Sequence, residues 1–116
     1  MTGGSDDLPL IREAVGAVCA AFDDDYWAAC DREHRVPWEF YRAMADGGWI
    51  GIAIPEQYGG GGRGILEAAT VLQTVAASGA AMNGASSLHM SIFGMQPVIR
   101  HGDEAMRQRY LPAVAD

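Results

Sequence analysis

His89 is the ionisable side chain of most interest in this 116-residue sequence. It lies in a stretch, Ala68 to Ile99, that contains no Asp, Glu, Lys or Arg, and Ser86 and Phe93 fall on its helical face. An imidazole can take up or release a proton near neutral pH, and Ser86, Ser87 and Ser91 place hydroxyls within a turn of it. A serine nucleophile needs the strained Gly-x-Ser-x-Gly elbow, which is absent, so the serines read as small helix-packing residues. The residues alone then predict a buried histidine with its hydrogen bond satisfied. A second cluster, Asp23, Asp24 and Asp25 with Asp31, Glu33 and His34, could suggest a hard-cation site. Calcium loops also require a turn glycine and a bidentate acid at fixed offsets, and neither falls in place. A solvated acidic face with helix-start aspartates is expected instead. Cys30 and His34 stand at i, i+4, yet two ligands do not make a zinc site, and no metal site is assigned. Gly59, Gly61 and Gly64 satisfy G-x-G-x-x-G. A dinucleotide fold would need a second parallel strand and an acid about twenty residues on for the ribose; the next segment is helical and the region near Gly84 has no acid.

The elements that would position these residues are helices. Leu8, Ile11, Val15, Val18 and Phe22 recur at helical spacing, predicting a first helix from about Asp6 to Phe22, capped by Ser5 or Asp6 with Pro9 in its first turn. A second helix is predicted over Asp24 to Glu33, its early aspartates at the positive end of the helix dipole. A third starts at Pro37 and runs to Asp46, with Phe40, Tyr41 and Met44 inward. Gly47 or Gly48 can take the left-handed conformation that ends it. Trp49, Ile50, Ile52 and Ile54 then form an alternating, extended apolar run that Pro55 stops, and five glycines among positions 59–64 shape a tight connection. A fourth helix over Ile65 to Ser78 has little polar surface, which predicts burial on several sides. A turn near Ser78 to Ala81 leads to a fifth helix from about Met82 to Arg100, which Pro97 should bend or force into a local adjustment. Gly102 ends it, and Asp103 caps a sixth from Glu104 to Ala115. The predicted class is all-α: a bundle of about six helices with one irregular, extended, Gly-rich insert.

Composition narrows the function. The chain fits one globular domain of residues 1–116, nearly half apolar, with a formal charge of −7. An acidic surface with scattered arginines is a poor match for phosphate backbones or anionic lipid surfaces, so no nucleic acid and no membrane partner is expected. All eight basic residues are arginine, a bias with no mechanism attached. Cys19 and Cys30 lack paired motif spacing and read as buried reduced thiols. No secretory signal is visible, so the cytoplasm is the default. No apolar run approaches the ~18 residues that a membrane span needs.

Residues Gly47 to Gly64 read G-G-W-I-G-I-A-I-P-E-Q-Y-G-G-G-G-R-G. This resembles the signature of the acyl-CoA dehydrogenase family, whose N-terminal helical domain carries G-W-x-G-x-x-x-P-E-x-Y-G-G-x-G between its early and middle helices. Trp49, Gly51, Pro55, Glu56, Tyr58, Gly59, Gly60 and Gly62 fill those positions. A second match lies in Ser87-Leu88-His89-Met90-Ser91, Pro97-Val98-Ile99, Gly102 and Tyr110-Leu111-Pro112. The resemblance runs from about Leu8 to Asp116 and covers only about the first third of a typical family member.

The resemblance implies that the fifth helix lines the far end of an acyl-chain cavity, and by residue matching it implicates Ser86, His89 and Phe93. It implies an acyl-CoA substrate, FAD as the hydride acceptor, an electron-transfer flavoprotein as the usual partner, and an oligomer in the complete enzyme. The family's catalytic glutamate belongs to its C-terminal helical domain, and its flavin-contacting segment to its middle β domain. Neither domain is present between Met1 and Asp116, so no catalytic residue is assigned here. The 116-residue chain alone is expected neither to bind FAD tightly nor to turn over substrate. Two other readings stay open: a non-catalytic helical assembly module that binds a partner through its apolar face, and the same domain of an acyl-CoA oxidase or flavin monooxygenase-like relative.

Overall fold

The computed structural model describes residues 6–116, which form seven α-helical segments and one 3-10 turn. They are α1 (Leu8–Ala20), α2 (Asp24–Glu33), α3 (Trp38–Asp46), the 3-10 turn Glu56–Tyr58, α4 (Ile65–Ala77), α5 (Ala81–Gly94), α6 (Gln96–His101) and α7 (Glu104–Ala115). The architecture is all-α, with no strand among the described residues. Helix α1 lies along α4 and α4 along α5, while α3 contacts both α1 and α5.

Apolar spacing decides which face of each helix turns inward. Ile11 and Val15 of α1, Phe40 and Met44 of α3, Val71 and Val75 of α4, and Leu88 and Ile92 of α5 form one continuous core. Both cysteines are free and buried, with Cys19 joining that core, as their lack of motif spacing predicts. Around Phe40 the aromatic rings meet edge to face, at 5.4 Å from Phe22 and 5.0 Å from Trp27. This geometry suits their quadrupoles.

Local chemistry sets the helix ends. The Asp23 carboxylate accepts the Tyr26 N–H at 2.9 Å, and that of Asp103 accepts the Met106 N–H at 2.8 Å. Each satisfies a donor that a helix start leaves free. At α1 the outcome differs from the predicted cap. Ser5 lies outside the described residues, and Asp7 occupies the cap position, its carbonyl accepting the Ile11 N–H at 2.9 Å while its side chain makes no cap hydrogen bond. Its carboxylate instead pairs with the Arg63 guanidinium at the end of the glycine loop.

The glycine-rich insert also departs from expectation. Ile50, Ile52 and Ile54 are buried as their alternation predicts, yet the segment is curled rather than extended. The Ile54 N–H closes a turn on the Gly51 carbonyl at 3.0 Å, after Gly48 leaves α3 at φ 82°. The loop then doubles back. Gly61, Gly62 and Arg63 donate their N–H groups to the carbonyls of Gly51, Ile54 and Ile52, each at 2.9 Å. Backbone pairing within the loop thus replaces the partner strand that an extended run would require. Ile54 and Tyr58 close a second, smaller core with Leu111 of α7, and the Tyr58 hydroxyl donates to Glu104 at 2.8 Å.

Of the two outcomes expected at Pro97, a bend or a local adjustment, the structure shows the second: the predicted fifth helix is divided. The break falls at Met95, between α5 and α6, because a proline at 97 has no N–H for the Phe93 carbonyl; that carbonyl accepts from Met95 instead.

Outside the core, Tyr26, Arg35 and Glu39 form a surface triad. The Tyr26 hydroxyl donates to Glu39 at 2.8 Å, and Arg35 donates to the same oxygen at 2.9 Å. The Arg35 guanidinium first, and the Tyr26 hydroxyl second, hold the Glu39 carboxyl down at about 2. Burial first, and the Glu39 hydrogen bond second, push the Tyr26 hydroxyl up to about 12. A carboxyl with a lowered folded value contributes stability above the ordinary glutamate value of about 4.3. That contribution is lost as the pH falls toward about 2. The tyrosine contribution runs the other way: it is complete below the ordinary value of about 10 and lost as the pH rises toward about 12. Glu39→Gln is therefore expected to flatten the acid limb of a plot of urea midpoint against pH. An acid limb identical to the parent's would show that the triad does not form in solution.

Candidate functional site

The turn joining α4 to α5 sets up an open groove between them. The Ser78 hydroxyl donates to the Val75 carbonyl at 2.6 Å and accepts the Ala80 N–H at 3.2 Å, while Ala81 sits at φ 47°. Gly84 then lets α5 close on the core. A Cβ there would stand 3.1 Å from Val75 and 3.3 Å from Trp27. With Val71, Val75, Leu88 and Ile92 directed inward, the opposite edges of the two helices are left without cover.

Those edges form a groove of about 620 Å³, to which α4 gives Leu72, Gln73 and Ala76 and α5 gives Met82, Ser86, His89 and Met90. Met82 and Met90 are 70% and 73% exposed, and Leu66 at the start of α4 is 53% exposed. Carbon and sulfur atoms held in water at this density mark a surface built to be covered. Helix α4 is accordingly buried along one side only, through Ala68, Thr70, Val71 and Val75. The several-sided burial expected from its composition is not reached, because a bundle of this size has only α1 and α5 to place against it.

Of the residues implicated by sequence, Ser86 and His89 both line the groove. Phe93 lies one turn beyond His89, its ring centroid 5.6 Å away and tilted by 39°. It is half-buried and packs on the core rather than lining the groove. The expectation of a buried, hydrogen-bonded His89 is corrected: the residue is exposed. A charge-free run suggests burial, but at His89 it forms part of an uncovered outer face. The serines divide in the same way. Ser87 donates to the Gly84 carbonyl at 2.7 Å and Ser91 shares a 2.7 Å hydrogen bond with the Tyr41 hydroxyl, so both are structural. Ser86 faces the groove. Sequence reasoning missed Leu72, Gln73 and Ala76. Their signal was available, since they share one outward edge of α4 at 72, 73 and 76.

The other chemical candidates resolve as structure. Asp23 is a helix cap, and no group of three His, Cys, Asp or Glu among the described residues could hold a metal ion. His34 ends α2 in the left-handed conformation at φ 54° while Cys30 lies buried in that helix. The G-x-G-x-x-G spacing belongs to the curled loop. No described helix is long and apolar enough to cross a membrane. A second opening, also about 620 Å³, lies between α1 and the glycine loop, with Leu10 and Trp49 on its walls.

The groove is lined by apolar side chains with a few polar groups, Gln73, Ser86 and His89, and by no Asp, Glu, Lys or Arg. It suits an extended hydrocarbon chain or the apolar face of another domain, and offers no cation to a phosphate.

Comparison with known proteins gives the family. The family model described as "Acyl-CoA dehydrogenase, N-terminal domain" matches residues 5–116. The chain is 29% identical over 115 residues to acyl-CoA dehydrogenase FadE12 of Mycobacterium tuberculosis, covering 97% of this chain and 28% of that protein. It is 33% identical over 109 residues to glutaryl-CoA dehydrogenase of Desulfococcus multivorans, covering 90% and 26%. An acyl-CoA dehydrogenase of Bacillus subtilis is 28% identical over 85 residues, covering 73% and 22%. The chain thus spans about a quarter of the length of these curated relatives. No solved structure matches it.

Proposed function

Because the chain belongs to the acyl-CoA dehydrogenase family through its N-terminal domain, we propose that it walls the acyl-chain cavity of a flavin-dependent enzyme and packs on that enzyme's other domains. The reaction is α,β-dehydrogenation of an acyl-CoA thioester to the 2,3-enoyl-CoA. FAD, when bound, supplies the acceptor for the β-hydrogen as hydride, while a base outside these residues takes the α-proton. The observation that carries the reading is the uncovered apolar groove between α4 and α5, with Ser86 and His89 on its wall. Its donor set does not fit FAD itself, since nothing charged lines it to meet a pyrophosphate. No residue here is assigned to the cofactor, and the flavin contacts and catalytic base are placed in other domains of the same or another chain.

The residues described here bind, orient and exclude water. Leu72, Ala76, Met82 and Met90 would hold the alkyl portion away from solvent, at roughly 25 cal/mol per Å² of apolar surface removed from water. Such binding energy from a remote part of the substrate helps fix the thioester at the reacting centre. His89, with Phe93 behind it, sets how far the chain can reach and what branching fits. The remaining partners follow the family reading: an electron-transfer flavoprotein to reoxidise the cofactor, an oligomeric assembly, and a cytoplasmic setting.

Two measurements test this. In the complete enzyme, His89→Ala combined with Phe93→Ala is expected to move the optimum of kcat/KM toward longer or more branched acyl groups, since one deleted methylene-sized contact changes discrimination by about tenfold or more. An unchanged chain-length profile would refute the assignment. The purified 116-residue chain is expected to be colourless and inactive; a stoichiometric yellow flavin on it would count against placing the cofactor elsewhere. Co-purification with a chain carrying the flavin-binding domains supports the reading. A stable complex with an unrelated protein would favour the assembly-module alternative.

A further inference from the structure

The groove carries more hydrogen-bonding capacity than a hydrocarbon can use. Gln73 reaches it from α4, and Ser86 and His89 from α5. All three are exposed, and none of their side chains bonds another group among the described residues. Elsewhere in the same two helices the hydroxyls of Thr70, Thr74 and Ser87 are returned to backbone carbonyls of their own helix, the usual way of quieting a polar side chain. Ser86 is not treated so. Solvent serves these groups while the groove is open. Once another domain closes over it and water is displaced, each must find a partner or be left buried and unsatisfied, which is costly.

Resting on the dehydrogenase reading above, we propose that the substrate is an acyl thioester whose chain carries a neutral oxygen function, a hydroxyl or ketone, at the depth of Ser86 and His89. An amide, a hydroxyl and an imidazole can each donate and each accept, so together they can satisfy either group. A carboxylate does not fit. No Arg or Lys lines the groove, and Arg35, which shares a separate opening with Ser86, is already paired with Glu33 and Glu39. An anion placed in the groove would give up its hydration with no arginine or lysine there to pair with. Plain alkyl chains fit the volume but strand the three polar groups.

The test compares kcat/KM in the complete enzyme across acyl-CoA substrates of matched length: unsubstituted, hydroxylated or oxo-substituted toward the far end, and terminated by a carboxylate. The neutral oxygenated chains are expected to exceed their unsubstituted partners by about tenfold or more, because a site that hydrogen-bonds a substrate hydroxyl discriminates strongly against its absence. The carboxylate-tipped chains are expected to fall below the hydroxylated ones. His89→Leu is expected to shift the preference toward unsubstituted chains. Gln73→Leu, on the other helix, should do the same to a smaller degree, and it serves where the first variant fails to fold. Preference of the parent enzyme for unsubstituted chains, or an oxygen preference that survives both variants, overturns the proposal alone. Oxidation of no acyl-CoA at all would remove the dehydrogenase reading beneath it.

Discussion

Replacing Gly60 by alanine is expected to cost about 3 kcal/mol of stability, at the upper end of what an over-packed site loses. The reason is contact rather than conformation. A Cβ at position 60 would stand 2.2 Å from the Ile54 carbonyl oxygen and 2.5 Å from the Ile54 Cβ. Backbone fixed on both sides cannot step aside as a flexible side-chain tip could. The Ile54 carbonyl also accepts the Gly62 N–H, so moving it releases one of the three hydrogen bonds that fold the loop back. The displacement then reaches the second core, because Ile54 packs with Tyr58 and Leu111 there. Gly16, in α1 with nothing within 4 Å of its added Cβ, is the matched control. Gly16→Ala is expected to stabilise by about 0.5–1 kcal/mol, the usual gain for removing a mid-helix glycine. Urea unfolding of the two variants measures both. A Gly60→Ala protein as stable as its parent would mean that the loop does not lie against Ile54 in solution.

That loop also shows where sequence reasoning stops. The helices were legible because their apolar residues repeat at the helical period and their caps are short-range chemistry. Asp23, Asp103 and Gly48 each act within a few residues of themselves. The burial of Ile50, Ile52 and Ile54 was legible for the same reason, but their alternation cannot distinguish a strand from a curl. The curl depends on Gly61, Gly62 and Arg63 returning to the same carbonyls, a pairing that exists only once the loop has closed. Asp7 likewise had a local alternative, a helix cap, and took a distant partner in Arg63.

The groove was partly legible. Ser86 and His89 were found through the family resemblance, and the structure places both on its wall. His89 is exposed where the residues alone predict burial, since a run without charges reads equally as an interior and as an uncovered apolar exterior. What separates the two is how many helices are available to cover the run. Here the inward half of each helix is satisfied by the core and the outward half has no neighbour among the described residues.

The core beneath the groove has its own largest effect at Phe40. Phe40→Ala is expected to cost about 3–5 kcal/mol, the range for truncating a buried phenylalanine. Phe40 is fully buried, meets Phe22 and Trp27 edge to face, and its N–H donates to the Tyr26 hydroxyl at 3.3 Å. Deleting the ring therefore opens a cavity bounded by α2, α3 and the α1–α2 connection. A domain's whole stability is only about 5–15 kcal/mol, so much of it would go at one site. The groove should loosen with it. Helix α3 holds α5 through core contacts and through the hydrogen bond between Tyr41, next in sequence, and Ser91. Phe40→Leu refills most of the volume and is expected to cost less than about 1.5 kcal/mol. Urea and thermal unfolding, with near-ultraviolet circular dichroism to report aromatic packing, should rank the parent above Phe40→Leu and Phe40→Ala far below both. A loss under about 1 kcal/mol for the alanine variant, smaller than any buried large-to-small phenylalanine change, would mean that the aromatic cluster does not hold α3 in place and that the groove above it is supported by something else.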